Sequence, residues 1–463
     1  MKRIYKINIT FILLMTITTL FISCEYGDTN NDITRPDESI VPINAIMPVM
    51  QTQSHRNITA GLARLAGIVM QQWIGADAQQ VGYTNYVIEE TDSDNFWDTG
   101  IYVGSMRDCV QIINKIEDSN GINTRGIAKI YLAANLGMAT NVWGDIPFSE
   151  AFQGEDNLFP AYDPQESIYE AIFRILDEAI ADLTAEDTSG GIQGSLVSLT
   201  NAQWIQVANA LKARYYLQLT KVNPQAASNA LGALENAMTS NDDQAVFDWR
   251  NNQNEGNPLA LFGVGRPETM IVDSRFADLM DGDPRKSSYM VLVEGSNLFY
   301  QQGNDNLFWG RLESPGILIP YWEQKFIEAE ALERTGEDGS DALVAAVTAN
   351  MEYIGIPSPQ IAIYTSELAL GGALEADLET IISEKYKALY GVAPIEVWND
   401  YRRTGIPELT PSSDGSNGLN PSGIIPRRLL YPISERVSNP ESYADAISRQ
   451  GGHLLDDGTW AFQ

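Results

Sequence analysis

Apolar residues recur at helical spacing along most of the chain. Ile168, Ile172, Ile175, Leu176, Ala179, Ile180 and Leu183 share one face and predict a helix. Asp163 as cap, Pro164 at the first helical position and Glu166 as the reciprocal partner would open it. Thr200 and Gln203 repeat that box ahead of Trp204, Val207, Ala208, Leu211, Tyr215 and Leu219, and Asn223-Pro224 opens a further helix to about Met238. Other stripes run through Ile127, Ile130, Ala134 and Met138, through Leu343, Val347, Met351 and Ile354, and through Leu378, Ile381, Lys385 and Leu389. Helices joined by short turns over 125–240 predict antiparallel hairpins stacked as a solenoid-like array, although no fixed-period repeat is visible. The expected fold class is therefore mostly α, with hairpins supporting long irregular loops and little β.

Two stretches depart from this pattern. Residues 71–105 hold Trp73, Asp77, Tyr83, Tyr86, Phe96, Trp97 and Tyr102 among Gly, Asp, Asn and Gln. Residues 240–320 hold Trp249, Phe262, Tyr289, Phe299, Tyr300, Phe308 and Trp309 in a similar setting. Long segments without strong periodicity inside a compact protein are often functional. Flat rings beside amide and carboxylate side chains suit a sugar, which offers a C–H face for stacking and a rim of hydroxyls. For any single ring, packing inside the core is the commoner use.

Charge narrows the chemistry. The 463 residues include 30 Lys and Arg against 61 Asp and Glu, a formal net charge of -31. Nucleic acid is disfavoured, because phosphate recognition needs clustered cations. Highly anionic polymers are disfavoured on the same long-range grounds, unless a local arginine cluster overrules the field. His55 and His453 are the only histidines, which leaves little room for histidine-rich metal sites or a Ser/His/Asp triad. Two cysteines make neither a Cys-x-x-Cys zinc site nor a disulfide framework. Cys109 shares a helical pattern with Met106, Ile113 and Ile116 and reads as a small buried hydrophobe. No cofactor is indicated. Calcium at Asp92-Ser93-Asp94-Asn95 would suit the residue types, but the EF-hand spacing is absent.

The N-terminus reads as an address. Lys2, Arg3 and Lys6 precede an apolar run from Ile7 to Ile22, too short and too interrupted for a membrane span. Phe21-Ile22-Ser23-Cys24, followed by acidic and polar residues, resembles a bacterial lipobox in which Cys24 becomes the acylated first residue. Residues 1–23 are thus expected to form a lipoprotein signal, 24–42 a lipidated tether and 43–463 the folded domain. Removal of the signal would leave 27 basic and 61 acidic residues, a charge near -34.

Six blocks carry a family resemblance. Trp143-Gly144-Asp145-Ile146-Pro147-Phe148-Ser149-Glu150-Ala151, Ala210-Leu211-Lys212-Ala213-Arg214-Tyr215-Tyr216-Leu217 and Asp283-Pro284-Arg285 with Tyr289 come first. Lys325-Phe326-Ile327-Glu328-Ala329-Glu330-Ala331, Trp398-Asn399-Asp400-Tyr401-Arg402-Arg403-Thr404-Gly405 and Ile425-Pro426-Arg427-Arg428-Leu429-Leu430-Tyr431-Pro432 follow. In this order they resemble the conserved blocks of SusD/RagB-like outer-membrane nutrient-binding lipoproteins of Bacteroidetes. The resemblance implies tetratricopeptide-like helical hairpins carrying ligand-binding loops. It also implies a surface lipoprotein that captures oligosaccharides and lids a SusC-like TonB-dependent transporter in the outer membrane. The blocks themselves read as structural: Gly144 permits a turn, Asp145 caps amides and Pro147 blocks helix continuation. Arg402, Arg403, Arg427 and Arg428 are expected to pair with carboxylates rather than with ligand.

The spacing of Trp97 and Tyr102 resembles the segment that supplies stacking rings in relatives, and Tyr300, Trp309 and Arg311 occupy a comparable place later in the chain. Trp97, Tyr300 and Trp309 lie off the helical stripes, so an exposed aromatic platform is expected from them, with Trp73 and Asp77 as outer candidates. A peptide-binding importer subunit is the main alternative. A surface glycoside hydrolase is the lesser one, because among 61 acids a carboxylate pair is uninformative.

Overall fold

The computed structural model describes residues 40–116 and 120–463. Cys24, the signal and most of the tether lie outside the described residues. Ile43–Gln463 form one compact unit. Its spine is a succession of helices, each packed on the next: Ile122–Trp143, Gln165–Thr184, Asn201–Gln218, Ala226–Leu234, Tyr321–Thr335, Ser340–Tyr353 and Leu374–Ala388. These are the stacked hairpins that the apolar spacing predicts, in the tetratricopeptide-like form that the family resemblance implies. Ile122–Trp143 is buried almost all round, and its neighbours cover it because its small residues let them approach. A Cβ at Gly137 would sit 2.3 Å from the Tyr215 ring of Asn201–Gln218.

The Thr200–Gln203 capping box forms as expected. The start of Gln165–Thr184 is built differently from the sequence expectation. Asp163 turns away and accepts from the Phe148 and Ser149 amides, at 2.9 and 2.7 Å. The Gln165 amide is capped instead by Asp145 Oδ1 at 2.9 Å, from a turn twenty residues upstream. Gly144 makes that turn possible with φ 87°. Local sequence cannot show that a distant carboxylate has taken the cap.

The two aromatic-rich stretches are more regular than expected. The first contains the short helices Ala78–Thr84 and Glu90–Asn95 and the π-helical segment Phe96–Met106. The second contains Pro258–Gly265, Ser274–Leu279 and two short strand pairs. One pair joins the stretches: Trp73–Gly75 runs antiparallel to Met270–Val272, with Trp73 opposite Val272. No described helix is long and apolar enough to cross a membrane.

Arg402, Arg403 and Arg428 of the C-terminal blocks are buried, and Arg427 is half-buried. Arg403 behaves as expected, donating to Glu330 and to Asp400. Burial alone would raise the Glu330 carboxyl, but Arg403 and Arg334 hold it at about 2. The other three arginines donate to backbone carbonyls instead of carboxylates. Arg402 Nη1 reaches Asn141 O at 2.5 Å and Arg427 O at 2.9 Å, Arg428 Nη2 reaches Trp143 O at 2.7 Å, and Arg427 Nη2 reaches Phe462 O at 2.5 Å. Helix ends supply unpaired carbonyls, and a buried guanidinium satisfies several of them together.

His55 is fully buried, stacked on Phe247 and 3.0 Å from the Tyr131 hydroxyl. Burial pulls its pKa from 6.5 to about 3. The unfolded chain therefore takes this proton first as pH falls, so stability from neutral His55 is full above pH 6.5 and is lost between 6.5 and about 3. His453, also held at about 3, acts in the same direction. Denaturant unfolding at pH 7.5 and 5.0 should show wild type losing about 2 kcal/mol more than His55→Gln, at about 1.4 kcal/mol per pH unit below 6.5. Equal losses would mean that His55 is not held neutral in the core.

Candidate functional site

Phe96–Met106 divides two cavities. Its wide helical turn displaces the Gly100 carbonyl from the regular ladder, and side chains answer for it: Asn57 Nδ2 donates at 3.1 Å and Ser105 Oγ at 3.2 Å. Asn135 Oδ1 accepts from both Asn57 and Ser105, at 3.1 Å each, and fixes that pair. Such turns inside helices recur at functional sites. Phe96, Thr99 and Gly100 face one cavity, while Trp97, Asp98 and Tyr102 face the other.

The larger cavity, about 570 Å³, lies between this segment, the end of Ile43–Thr59, the start of Gly61–Val69 and the helix Pro258–Gly265. Its rings are Phe96 and Phe262, both half-buried. Gly61 lets Phe96 in closely, since a Cβ there would meet the ring at 2.6 Å. The Arg64 guanidinium lies 4.2 Å from the Phe262 ring centroid. Gln53, Asn95 and Thr99 bring neutral polar groups, and Arg56 and Arg266 stand exposed at the rim. Its volume and mixed lining are those of a small-ligand site.

The smaller cavity, about 380 Å³, has Trp97, Tyr102 and Phe152 on one side and Glu435 on the other. Trp97 and Tyr102 stack at 4.8 Å, and the Tyr102 hydroxyl donates to Pro147 O at 2.8 Å. Burial pushes the Glu435 carboxyl up, opposed by the hydroxyl of Tyr162 donating at 2.7 Å.

The structure corrects the expectation of an exposed three-ring platform. Trp97 is only 4% exposed, held edge-on to Trp143 at 5.2 Å and to Tyr431 at 5.9 Å. Trp309 is 2% exposed: it packs on Gly391, where φ is 75° and a Cβ would lie 2.6 Å from the indole. Trp73 is 1% exposed and donates from Nε1 to the Tyr390 hydroxyl at 2.9 Å. Asp77 is exposed and caps Ala78–Thr84 through the Ala78 amide at 2.7 Å. Tyr300 packs against Gly263 of Pro258–Gly265, and Arg311 lies 4.5 Å from the Phe308 ring centroid. Of these residues only Trp97 and Tyr102 line either cavity. The rings were expected outside because they sit off the helical stripes. In the fold they are buried by pairing of the two stretches with each other and with the helices behind them.

Phe96 and Phe262 were named only among the rings of the two stretches, and Arg56, Arg64 and Arg266 were not singled out by sequence. One signal was available: in this acidic chain, Ser39 to Ala76 contains no Asp or Glu, yet holds Arg56 and Arg64. The carboxylates considered for calcium already serve the protein. Asp92 accepts from Gln79 and from the Glu89 amide, and Asp94 from Ser434. Among the described residues no group of three or more acidic, His or Cys side chains gathers to hold a metal.

Residues 31–432 match the family described as starch-binding and associating with the outer membrane, and the chain belongs to this SusD-like family. Solved structures share the fold. A chitin-binding protein superposes with TM-score 0.76 at 22% identity, over 91% of this chain and all of that one. A SusD/RagB family protein from Bacteroides thetaiotaomicron gives 0.74 at 24%, over 91% and 99%. A SusD homologue from Bacteroides fragilis gives 0.73 at 20%, over 90% and 99%. No curated protein sequence matches the chain.

The two adjacent rings Phe96 and Trp97 should behave oppositely. Trp97→Ala should lower stability by about 3–5 kcal/mol, as loss of a packed core aromatic does. Phe96→Ala should cost roughly half as much or less, because half of its ring already faces the cavity. Denaturant unfolding of both variants checks this, and equal losses would contradict the division of the segment.

Proposed function

We propose that this SusD-like chain binds oligosaccharide in the larger cavity and passes it to a partner TonB-dependent transporter from a lipid anchor at Cys24. The observation that carries the site is the meeting of half-buried rings with polar and cationic side chains around one cavity on a helical frame. Phe96 offers a face for a sugar ring, and Gln53, Asn95, Thr99 and the arginines reach hydroxyls around it. The family's description as starch-binding and outer-membrane-associated supports a glycan ligand and that location, and the chitin-binding neighbour uses the same fold. Trp97 and Tyr102 then act behind the site, holding the segment that presents Phe96.

Two measurements check this reading. Calorimetry against a panel of oligosaccharides should find a ligand whose affinity falls by about 1–3 kcal/mol in Phe96→Ala, the worth of an apolar ring face at roughly 25 cal/mol per Å². A ligand bound equally well by that variant would move the site elsewhere. For the anchor, Cys24→Ala should shift the protein from the outer-membrane pellet to the soluble fraction and abolish fatty-acid labelling. A variant that still pellets and still labels would refute lipidation at Cys24.

A further inference from the structure

The larger cavity has a charge pattern opposite to that of the chain. With 61 acidic residues against 30 basic ones, a random cavity lining would be acidic. This one has Arg56, Arg64 and Arg266 and no Asp or Glu. Among the described residues, three buried arginines elsewhere face carboxylates. Arg214 forms a two-pronged pair with Glu323, Arg285 lies between Asp283 and Glu384, and Arg403 joins Glu330 and Asp400. Arg402 and Arg428 donate to backbone carbonyls and to the amide oxygens of Asn399 and Gln450. The smaller cavity, by contrast, has Asp98 and Glu435 beside its single Arg107.

Arg64 is the cation at the centre of this lining, and it shares a buried, unpartnered Nε with Arg107, Arg311 and Arg403 among the described residues. Its flat face is against Phe262, which orients the edge of the guanidinium but satisfies none of its donors. Burial pulls its pKa down to about 10, with Tyr83 opposing and Arg266 adding repulsion, so the side chain is a cation at neutral pH in an unfavourable setting. A half-buried cation whose buried Nε makes no hydrogen bond is costly, and like charges around one cavity add to that cost. A bound anion removes both penalties, whereas a neutral sugar supplies only hydroxyl acceptors and leaves the like-charge repulsion in place.

Resting on the glycan-binding reading above, we propose that the oligosaccharide taken by this cavity is anionic, with uronate carboxylates or sulfate esters held by Arg64, Arg56 and Arg266. The local cluster overrides the acidic surface: the field of the whole chain disfavours polyanions at a distance, and the arginines select for them at contact. Phe262 is already covered by Arg64, so Phe96 is left as the ring for the sugar face while the arginines take its charged substituent.

The test is calorimetry on the full chain with four probes: tetragalacturonate, its fully methyl-esterified form, a κ-carrageenan tetrasaccharide and tetraglutamate. The proposal expects the uronate or the sulfated probe to bind, and whichever does identifies the anionic group. Esterification of the uronate should weaken its binding by about 10-fold or more, because it removes charge-assisted hydrogen bonds and leaves the rings intact. Arg56→Gln and Arg266→Gln are exposed and should keep the melting temperature while weakening binding by about 5- to 10-fold each, with a larger loss for Arg64→Gln. Equal affinity for the ester, or arginine variants that bind like wild type, overturns the proposal. A neutral oligosaccharide that binds, weakens in Phe96→Ala and ignores the arginine variants leaves the glycan site standing and removes only its anionic character. Tetraglutamate binding more tightly than either charged sugar makes the cavity a peptide site and overturns both readings. Failure of all four probes to bind also overturns the anionic assignment.

Discussion

Arg402 and Arg428 lie inside the protein facing backbone rather than carboxylates, and much of the architecture follows from what they hold. The helix Ile122–Trp143 ends in a tight turn with its last carbonyls unmatched. Guanidinium groups from the C-terminal part of the chain reach Asn141 and Trp143, and the Leu429 amide donates to Val142 O at 2.9 Å. Asp145, released by the turn at Gly144, caps the next helix and accepts from Arg449 at 2.6 Å. Tyr431 closes the seam by donating to Asp145 O at 2.6 Å. A segment nearly three hundred residues away thus finishes one helix and braces the turn whose Asp145 caps the next. Burial pulls the Arg402 pKa down to about 9, which shows how strongly desolvation works against a cation held by neutral dipoles.

The same seam forms the back wall of the site. Trp143 donates to Leu430 O at 3.0 Å and presents its ring to Trp97, while Tyr431 presses on Trp97 from a second side. With Trp97 pinned, the adjacent Phe96 leaves the helical segment in a different direction, toward Gly61 and the larger cavity. The wide turn at Gly100 is stabilised independently by Asn57, Ser105 and Asn135. The cavity floor is therefore fixed by buried polar groups and packed indoles, and variation is left to the rim. Rigid support behind a polar, partly open surface limits the entropy lost when a flexible sugar is ordered.

The helical array was legible because its helices bury one stripe each and announce it by spacing, as at Ile168 to Leu183. The Thr200–Gln203 box was legible because both partners are local. Asp163 misled because the rival cap, Asp145, comes from another segment and leaves no trace in the local sequence. Trp73, Trp97 and Trp309 misled for a related reason. Periodicity identifies residues buried by their own element, whereas these are buried by strand pairing and by contacts with Tyr390, Trp143 and Gly391. Tyr102, expected to contact ligand, lines the smaller cavity and not the one holding the arginines. Arg64 and Arg266 are 202 positions apart in the chain, and only folding brings them to one cavity.

Membership of the SusD-like family sets the general role, and the site sets what is particular to this chain. In a strongly acidic protein, one cavity has a lining free of carboxylates that includes three arginines, and the Nε of Arg64 has no hydrogen-bond partner among the described residues. The central claim is that ligand enters there. Hydrogen–deuterium exchange with and without the tightest-binding oligosaccharide of the panel tests it most directly. The account predicts slowed exchange in the amides of 95–101 and 258–266 on saturation. Slowing confined to 147–160 and 434–438, around the Trp97–Tyr102 pair, would contradict it.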